Sequence, residues 1–330
     1  MATALGIDGV TVGHWTDLEG ATGCTVVLVP EGAVASVDVR GGAPGTRETD
    51  LLSPYSAVSE IHGVVLCGAS APGLGAVSGV VTYLEEQGKG YRTPYARIPL
   101  IPGAVIYDLG LGSAFARPRA EHGYEAARSA SSMVEEGTVG VGTGATVGKL
   151  LGETGWMKGG LGVAVLDLPG DVTVAAVSVV NAFGDVLAGD GSVLAGARQG
   201  EAFLDSRRHL LTLVGDPRTV RSAEGTNTTL SVVVTDAVLT KTECAIVARM
   251  AHDGFARALS PVHTPVDGDT VFVVATGRRD VNIFPLSTAA VEAVTESIRR
   301  AVTEARSLAG APALRDLVWT ARANPGDRRE

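Results

Sequence analysis

Gly225-Thr-Asn-Thr-Thr-Leu-Ser-Val-Val-Val-Thr235 sets a polar loop directly against a run of β-branched and apolar residues. From Thr228 onward the composition is that of a strand that opens on hydroxyl side chains. A Thr after an Asn is by itself an ordinary turn feature. It acquires chemistry if the Asn227–Thr228 peptide bond is cut. Thr228 then carries a free α-amine, with a reference pKa of about 8, in permanent reach of its own hydroxyl. One residue supplies both nucleophile and base, so no catalytic histidine, metal or cofactor is needed.

Working outward, Thr240-Lys-Thr-Glu243 is a capping box, and the helix it opens runs to about Ala258. Thr270–Ala275 reads as a strand and Ser287–Leu308 as a long helix. On the other side, residues 199–227 are polar and Arg-rich and read as a surface excursion. Before them, Leu161–Asp167 and Val172–Asn181 are apolar runs joined by Leu168-Pro-Gly-Asp171, which predicts an antiparallel hairpin. Thr25–Val29, Val34–Val39, Val64–Cys67 and Val105–Asp108 have strand composition. Val77, Val80, Val81 and Leu84 recur at helical spacing within Leu74–Gln87, and Ala120–Met133 is a weaker helix. Short strands, one hairpin and a few helices without regular βαβ alternation predict α/β layers around a mixed or antiparallel sheet. The polar tail, residues 322–330, is expected to fray.

The composition narrows the function. A net charge of −9 argues against nucleic acid or an anionic membrane as partner. No apolar run reaches the roughly 18 residues needed to cross a bilayer, and the start carries no secretory pattern. Cys24, Cys67 and Cys244 share no metal-like spacing and fit a reducing compartment, so the expected location is cytoplasmic. Gly140-Val-Gly-Thr-Gly-Ala-Thr-Val-Gly-Lys149 misses the phosphate-binding template at Thr143 and Leu150. Gly68-Ala-Ser-Ala-Pro72 ends in Pro where a nucleophile elbow needs Gly, which predicts a strand-to-helix turn with a capping serine. His263-Thr-Pro-Val-Asp-Gly-Asp269 offers too few ligands for a metal site.

Several motifs in order carry a resemblance. They are Val12-Gly-His14 with Thr22-Gly-Cys-Thr25, Arg40-Gly-Gly-Ala-Pro-Gly-Thr-Arg-Glu-Thr-Asp50, Val105-Ile-Tyr-Asp108, Val147-Gly-Lys149, Val180-Asn181, Asn227-Thr-Thr229 and His263 to Thr270. From about Gly6 to Ala301 the chain resembles the self-processing N-terminal-nucleophile hydrolases. These include the DmpA-type aminopeptidases, the β-peptidyl aminopeptidases and the NylC-type nylon-oligomer hydrolases. Thr228 after Asn227, with Asp267 and Asp269, is more similar to the NylC-type pattern, whereas Ser70-Ala-Pro-Gly-Leu-Gly75 departs from the aromatic and acid often found at that turn.

The resemblance implies a single hydrolase domain over residues 1–330, folded as a four-layer αββα sandwich and self-cleaved into an α chain, 1–227, and a β chain, 228–330. It implies that Thr228 attacks an amide carbonyl and that Asn181 donates to the oxyanion. Lys149 would favour the neutral amine, Tyr107 would bind the oxyanion or substrate, and Asp267 and Asp269 would orient the amine and Lys149. The substrates would be short peptides or small linear amides, and the assembly a homo-oligomer, with tetramers of αβ units among relatives. Without the resemblance, Asn181 is a turn cap, Lys149 a surface lysine, Tyr107 a core aromatic and Asp267-Gly-Asp269 a turn. Thr229 and Ser231 read as structural strand residues, and the six histidines take no role. An acyltransferase of the ornithine-acetyltransferase type, passing the same acyl-threonine to an amine, is the alternative enzyme. An uncleaved ligand-binding scaffold is the alternative without catalysis.

Overall fold

Strands buried on both faces dominate the computed structural model, which describes residues 2–214 and 227–317. One sheet contains β1 (Thr11–Asp17), β2 (Thr22–Val39), β3 (Glu60–Cys67) and β4 (Gly103–Val105). The helices α1 (Ala76–Glu86) and α2 (Ala120–Arg128) cover it. The other sheet contains β5 (Gly160–Leu168), β6 (Val172–Asn181), β7 (Thr228–Ala237) and β8 (Thr270–Arg279), joined to the second half of β2. It is covered by α3 (Lys241–Ala258) and α4 (Ile283–Thr303).

Side-chain alternation makes the layers. Val27, Val64 and Leu66 turn to a core shared with Val177, Val232 and Phe272, while Val26, Val65 and Cys67 turn to α1 and α2. Val174, Val233 and Val273 face α3 and α4. Three apolar cores therefore separate four layers, helix on sheet on sheet on helix, and the chain is an αββα sandwich. The hairpin of β5 and β6 is antiparallel, β6 pairs antiparallel with β7, and β7 lies parallel to β8.

Several expected boundaries shift. The two strands expected at 25–29 and 34–39 are one 18-residue strand, β2, with a bulge between Leu28 and Ala33. Gly32, at φ 89, absorbs the kink without ending the ladder. The strand expected at Val105–Asp108 ends at Val105, which puts Tyr107 and Asp108 in the turn beyond the sheet edge. The second helix ends at Arg128 instead of Met133. The last helix starts at Ile283, because the Asn282 side chain caps Phe284 N–H, and it stops at Thr303. Within the polar excursion Ser206–Thr212 is a short helix, residues 215–226 lie outside the described residues, and so does the tail 322–330.

Ser70 corrects the expected capping serine. Its side chain caps nothing, and Ala69 and Ser70 sit at φ 60 and 55. Asp108 Oδ1 takes the Ala69 N–H at 2.6 Å and the Ile106 carbonyl takes that of Ser70 at 3.0 Å, holding both residues in the left-handed region.

Candidate active site

Strand register brings the first two candidates together. Asn181, the last residue of β6, is the cross-strand partner of Thr228, the first residue of β7. Both are buried. Thr228 Oγ contacts the carbonyl oxygen of Asn227, within the peptide unit that would be cut. The same carbonyl accepts the Gly268 N–H at 3.0 Å. A Cβ at Gly268 would lie 2.8 Å from Thr228 Oγ1, so only glycine lets that loop lie against the hydroxyl.

Asn181 is not the local turn cap of the plain reading. Its Oδ1 accepts from Lys149 Nζ at 2.8 Å and from Thr146 N–H at 3.0 Å, and its Nδ2 donates to the Tyr107 carbonyl at 2.9 Å. Lys149 Nζ also reaches the Asn181 carbonyl at 3.1 Å. Lys149 is no surface lysine: it is 7% exposed. It follows Gly148, which sits at φ 68 and would place a Cβ 2.0 Å from Ala197 N. This is why the Val147-Gly-Lys149 motif needs its glycine. Burial lowers the Lys149 pKa to about 7, against the pull of Asp267 and Asp108.

The acids arrive from the loop before β8. Arg40-Gly-Gly-Ala43 packs along it: Arg40 N–H donates to the Asp269 carbonyl, Gly42 N–H to that of Thr264 and Ala43 N–H to that of Asp267. Two motifs far apart in sequence thus form one structural unit. Asp269 Oδ1 accepts the Thr229 N–H at 2.7 Å, next to Thr228. Asp267 accepts from the Thr264 N–H and hydroxyl. Its pKa is raised to about 6 by burial and then by the charge of Asp269.

Tyr107 contributes its carbonyl to Asn181, and its half-buried ring lines a cavity of about 310 Å³ beside Lys149. Asp108, Leu111, Glu153 and Trp156 line the same cavity. Asp108 is buried, accepts from Thr22 Oγ1 at 2.7 Å, and has its pKa raised to about 6 by that burial. Ser231 is structural as expected, since its hydroxyl meets that of Ser178 at 2.6 Å in the packed interior.

Sequence reasoning missed three side chains. His263 was given no role, yet its Nδ1 lies 2.8 Å from Asp269 Oδ2, which also accepts the His263 N–H at 3.1 Å. Asp108 was only part of a motif. Lys158 was not singled out, although a lysine inside Gly155-Trp-Met-Lys-Gly-Gly160 has no polar neighbours in sequence. Three of the four lysines, Lys149, Lys158 and Lys241, are buried, and that scarcity was the available signal.

The arrangement places the Thr228 hydroxyl at the Asn227 carbonyl and, across the strand pair, the Asn181 amide with the buried Lys149 amine on it.

A model of peptidase family S58 matches residues 5–314. An uncharacterized aminopeptidase of Mycobacterium tuberculosis is 38% identical over 346 residues, covering 94% of this chain and 96% of its own. A 6-aminohexanoate-oligomer endohydrolase of Agromyces sp. is 33% identical over 281 residues, covering 84% of this chain and 76% of its own. Among solved structures, the L-aminopeptidase D-Ala-esterase/amidase of Ochrobactrum anthropi, a variant of the Ntn hydrolase fold, superposes with a TM-score of 0.68 at 20% identity, covering 92% of this chain and 86% of that one. A β-aminopeptidase of Burkholderia sp. gives 0.67 at 22% identity, covering 95% and 92%. The fold is that of these Ntn hydrolases.

Proposed function

The chain belongs to peptidase family S58 and is a hydrolase of amide bonds, and from that premise we propose that it cuts its own Asn227–Thr228 bond and then works as an N-terminal-threonine peptidase. In the first step Thr228 Oγ attacks the Asn227 carbonyl carbon. The C–N bond breaks, an ester to Thr228 forms, the α-amine is released, and water hydrolyses the ester. The Gly268 N–H on the Asn227 carbonyl supports this step, because charge develops on that oxygen.

In turnover the free α-amine takes the Oγ proton while Oγ attacks a substrate amide. We assign the Asn181 side-chain amide, which donates to the Tyr107 carbonyl in this structure, as the donor to the oxyanion during turnover. Lys149, with a pKa lowered to about 7 and its amine bonded to Asn181, keeps the terminal amine in its basic form. Asp269 holds the backbone of Thr229 and so sets the direction of Thr228. Tyr107 and the adjoining cavity receive the acyl side of the substrate. Short peptides and small linear amides are the substrate class, in line with relatives named aminopeptidase and oligomer endohydrolase.

The observation that carries this reading is the Asn181–Thr228 pair, with Lys149 Nζ on the Asn181 side chain. Intact mass under denaturing conditions tests it. Fragments of about 23 and about 10 kDa from the 33.7 kDa chain, the smaller starting at Thr228, are expected. Thr228→Ala is expected to stay whole and inactive. A whole chain that hydrolyses amides overturns the reading.

Among the described residues no helix is long and apolar enough to cross a membrane. Three free, buried cysteines support a cytoplasmic location. We further infer a homo-oligomer of αβ units from the resemblance to the NylC-type and DmpA-type hydrolases, which light scattering of the purified protein checks.

A further inference from the structure

Lys158 is wholly buried, and no step described so far uses it. Its Nζ donates to the carbonyls of Gly142 at 2.8 Å, Ala145 at 2.7 Å and Gly159 at 3.2 Å. An ammonium has three N–H donors and a neutral amine two, so three carbonyl acceptors around one nitrogen select the charged form. Among the described residues no carboxylate pairs with it.

The clamped segment leads to the active site. Lys158 is the antiparallel partner of Thr146, and the Thr146 N–H is the donor that holds Asn181 Oδ1. Gly142 and Ala145, the carbonyls that Lys158 gathers, immediately precede Thr146. The charged groups that act on Lys158 are Asp108 and Lys149; those that act on Lys149 are Asp267 and Asp108. Burial lowers the Lys158 pKa to about 7, as it does that of Lys149, and both lysines support the Asn181 side chain, Lys149 directly and Lys158 through the loop that carries Thr146.

We propose that Lys158 is a positioning residue of this hydrolase: its side-chain amine closes the Gly142–Thr146 loop that holds Asn181. The proposal rests on the role assigned above to Asn181. Neither the motif set nor any named property of the relatives assigns this residue.

Lys158→Met removes the charge at similar volume. The readouts are kcat and KM on a peptide amide over pH 5–10, with the cleaved fraction counted by mass and folding checked by circular dichroism. We expect kcat at least tenfold lower per cleaved chain and KM within about threefold. Lys158→Arg, which keeps a charged donor for the same carbonyls, is expected to recover part of the lost kcat. Equal loss of kcat in both variants marks a packing role alone and overturns the proposal, as does wild-type kcat in Lys158→Met.

If Lys158→Met does not fold, Lys158→Gln, which keeps two donors, is measured in the same way, and wild-type kcat in that folded variant overturns the proposal. Thr228→Ala separates the two readings: activity in that variant sinks the nucleophile, whereas an inactive Thr228→Ala beside wild-type kcat in Lys158→Met sinks only the role of Lys158.

Discussion

Asn181→Ala is the sharpest test of the site, because stability and catalysis pull apart in it. The substitution removes the acceptor for Lys149 Nζ and Thr146 N–H and the donor to the Tyr107 carbonyl. Lys149 keeps the Asn181 backbone carbonyl as a partner, so the Thr146 N–H is the main group left unsatisfied. A buried donor without a partner costs about 1–3 kcal/mol. A domain stable by some 5–15 kcal/mol survives that loss, so the variant is expected to fold with a lowered Tm. Loss of an oxyanion donor costs more on the catalytic side, about 100- to 1,000-fold in kcat. The assay is kcat on a chromogenic peptide amide per mole of free Thr228 amino terminus, alongside a thermal melt. If the variant does not mature, the rate of self-cleavage followed by mass replaces kcat and is expected to fall by a similar factor. A folded variant that cleaves and turns over within threefold of wild type would refute Asn181 as the oxyanion donor and leave it a structural link between Lys149, Thr146 and Tyr107.

Three other perturbations follow from the same geometry. Lys149 is a base whose pKa falls from 10.5 to about 7 on folding, so between those values the unfolded chain binds the extra proton and stability rises with pH. Relative to Lys149→Met, which abolishes activity, wild type should gain up to about 3 kcal/mol between pH 7 and pH 9 in urea unfolding. His263→Ala deprives Asp269 Oδ2 of its ring contact and should lower kcat by about tenfold, the equivalent of roughly 1.4 kcal/mol, with partial rescue by His263→Asn. Gly268→Ala sets a Cβ 2.8 Å from Thr228 Oγ1 and 2.7 Å from the Ala43 carbonyl, so self-cleavage followed by mass should slow markedly; wild-type cleavage would show that the loop yields freely.

The strands around the site were legible because each satisfies a local rule. Val172–Asn181 matches its predicted bounds, and Thr228 begins its strand as its hydroxyl and β-branched residues imply. The Thr240 capping box was equally local, and both of its hydrogen bonds form. Tyr107 was misread as a strand residue because Ile106 carries the β-branched composition past Val105, the last paired residue. Composition does not say where a pairing partner ends.

Taken by itself, the sequence determined the chemistry on offer: a hydroxyl residue after an Asn, a few scattered lysines, and acids in a turn. Family motifs in order then gave those residues roles as expectations. Tertiary structure decided which of them meet. Register alone sets Asn181 against Thr228, because a shift of one residue along β6 would turn the amide to the opposite face. Burial, a property of the whole packed molecule, makes Lys149 a base near neutrality and raises Asp267, and no local pattern encodes it. Lys158 and His263 stayed invisible for the same reason: their partners are backbone carbonyls or a loop acid, and only folding brings those within reach.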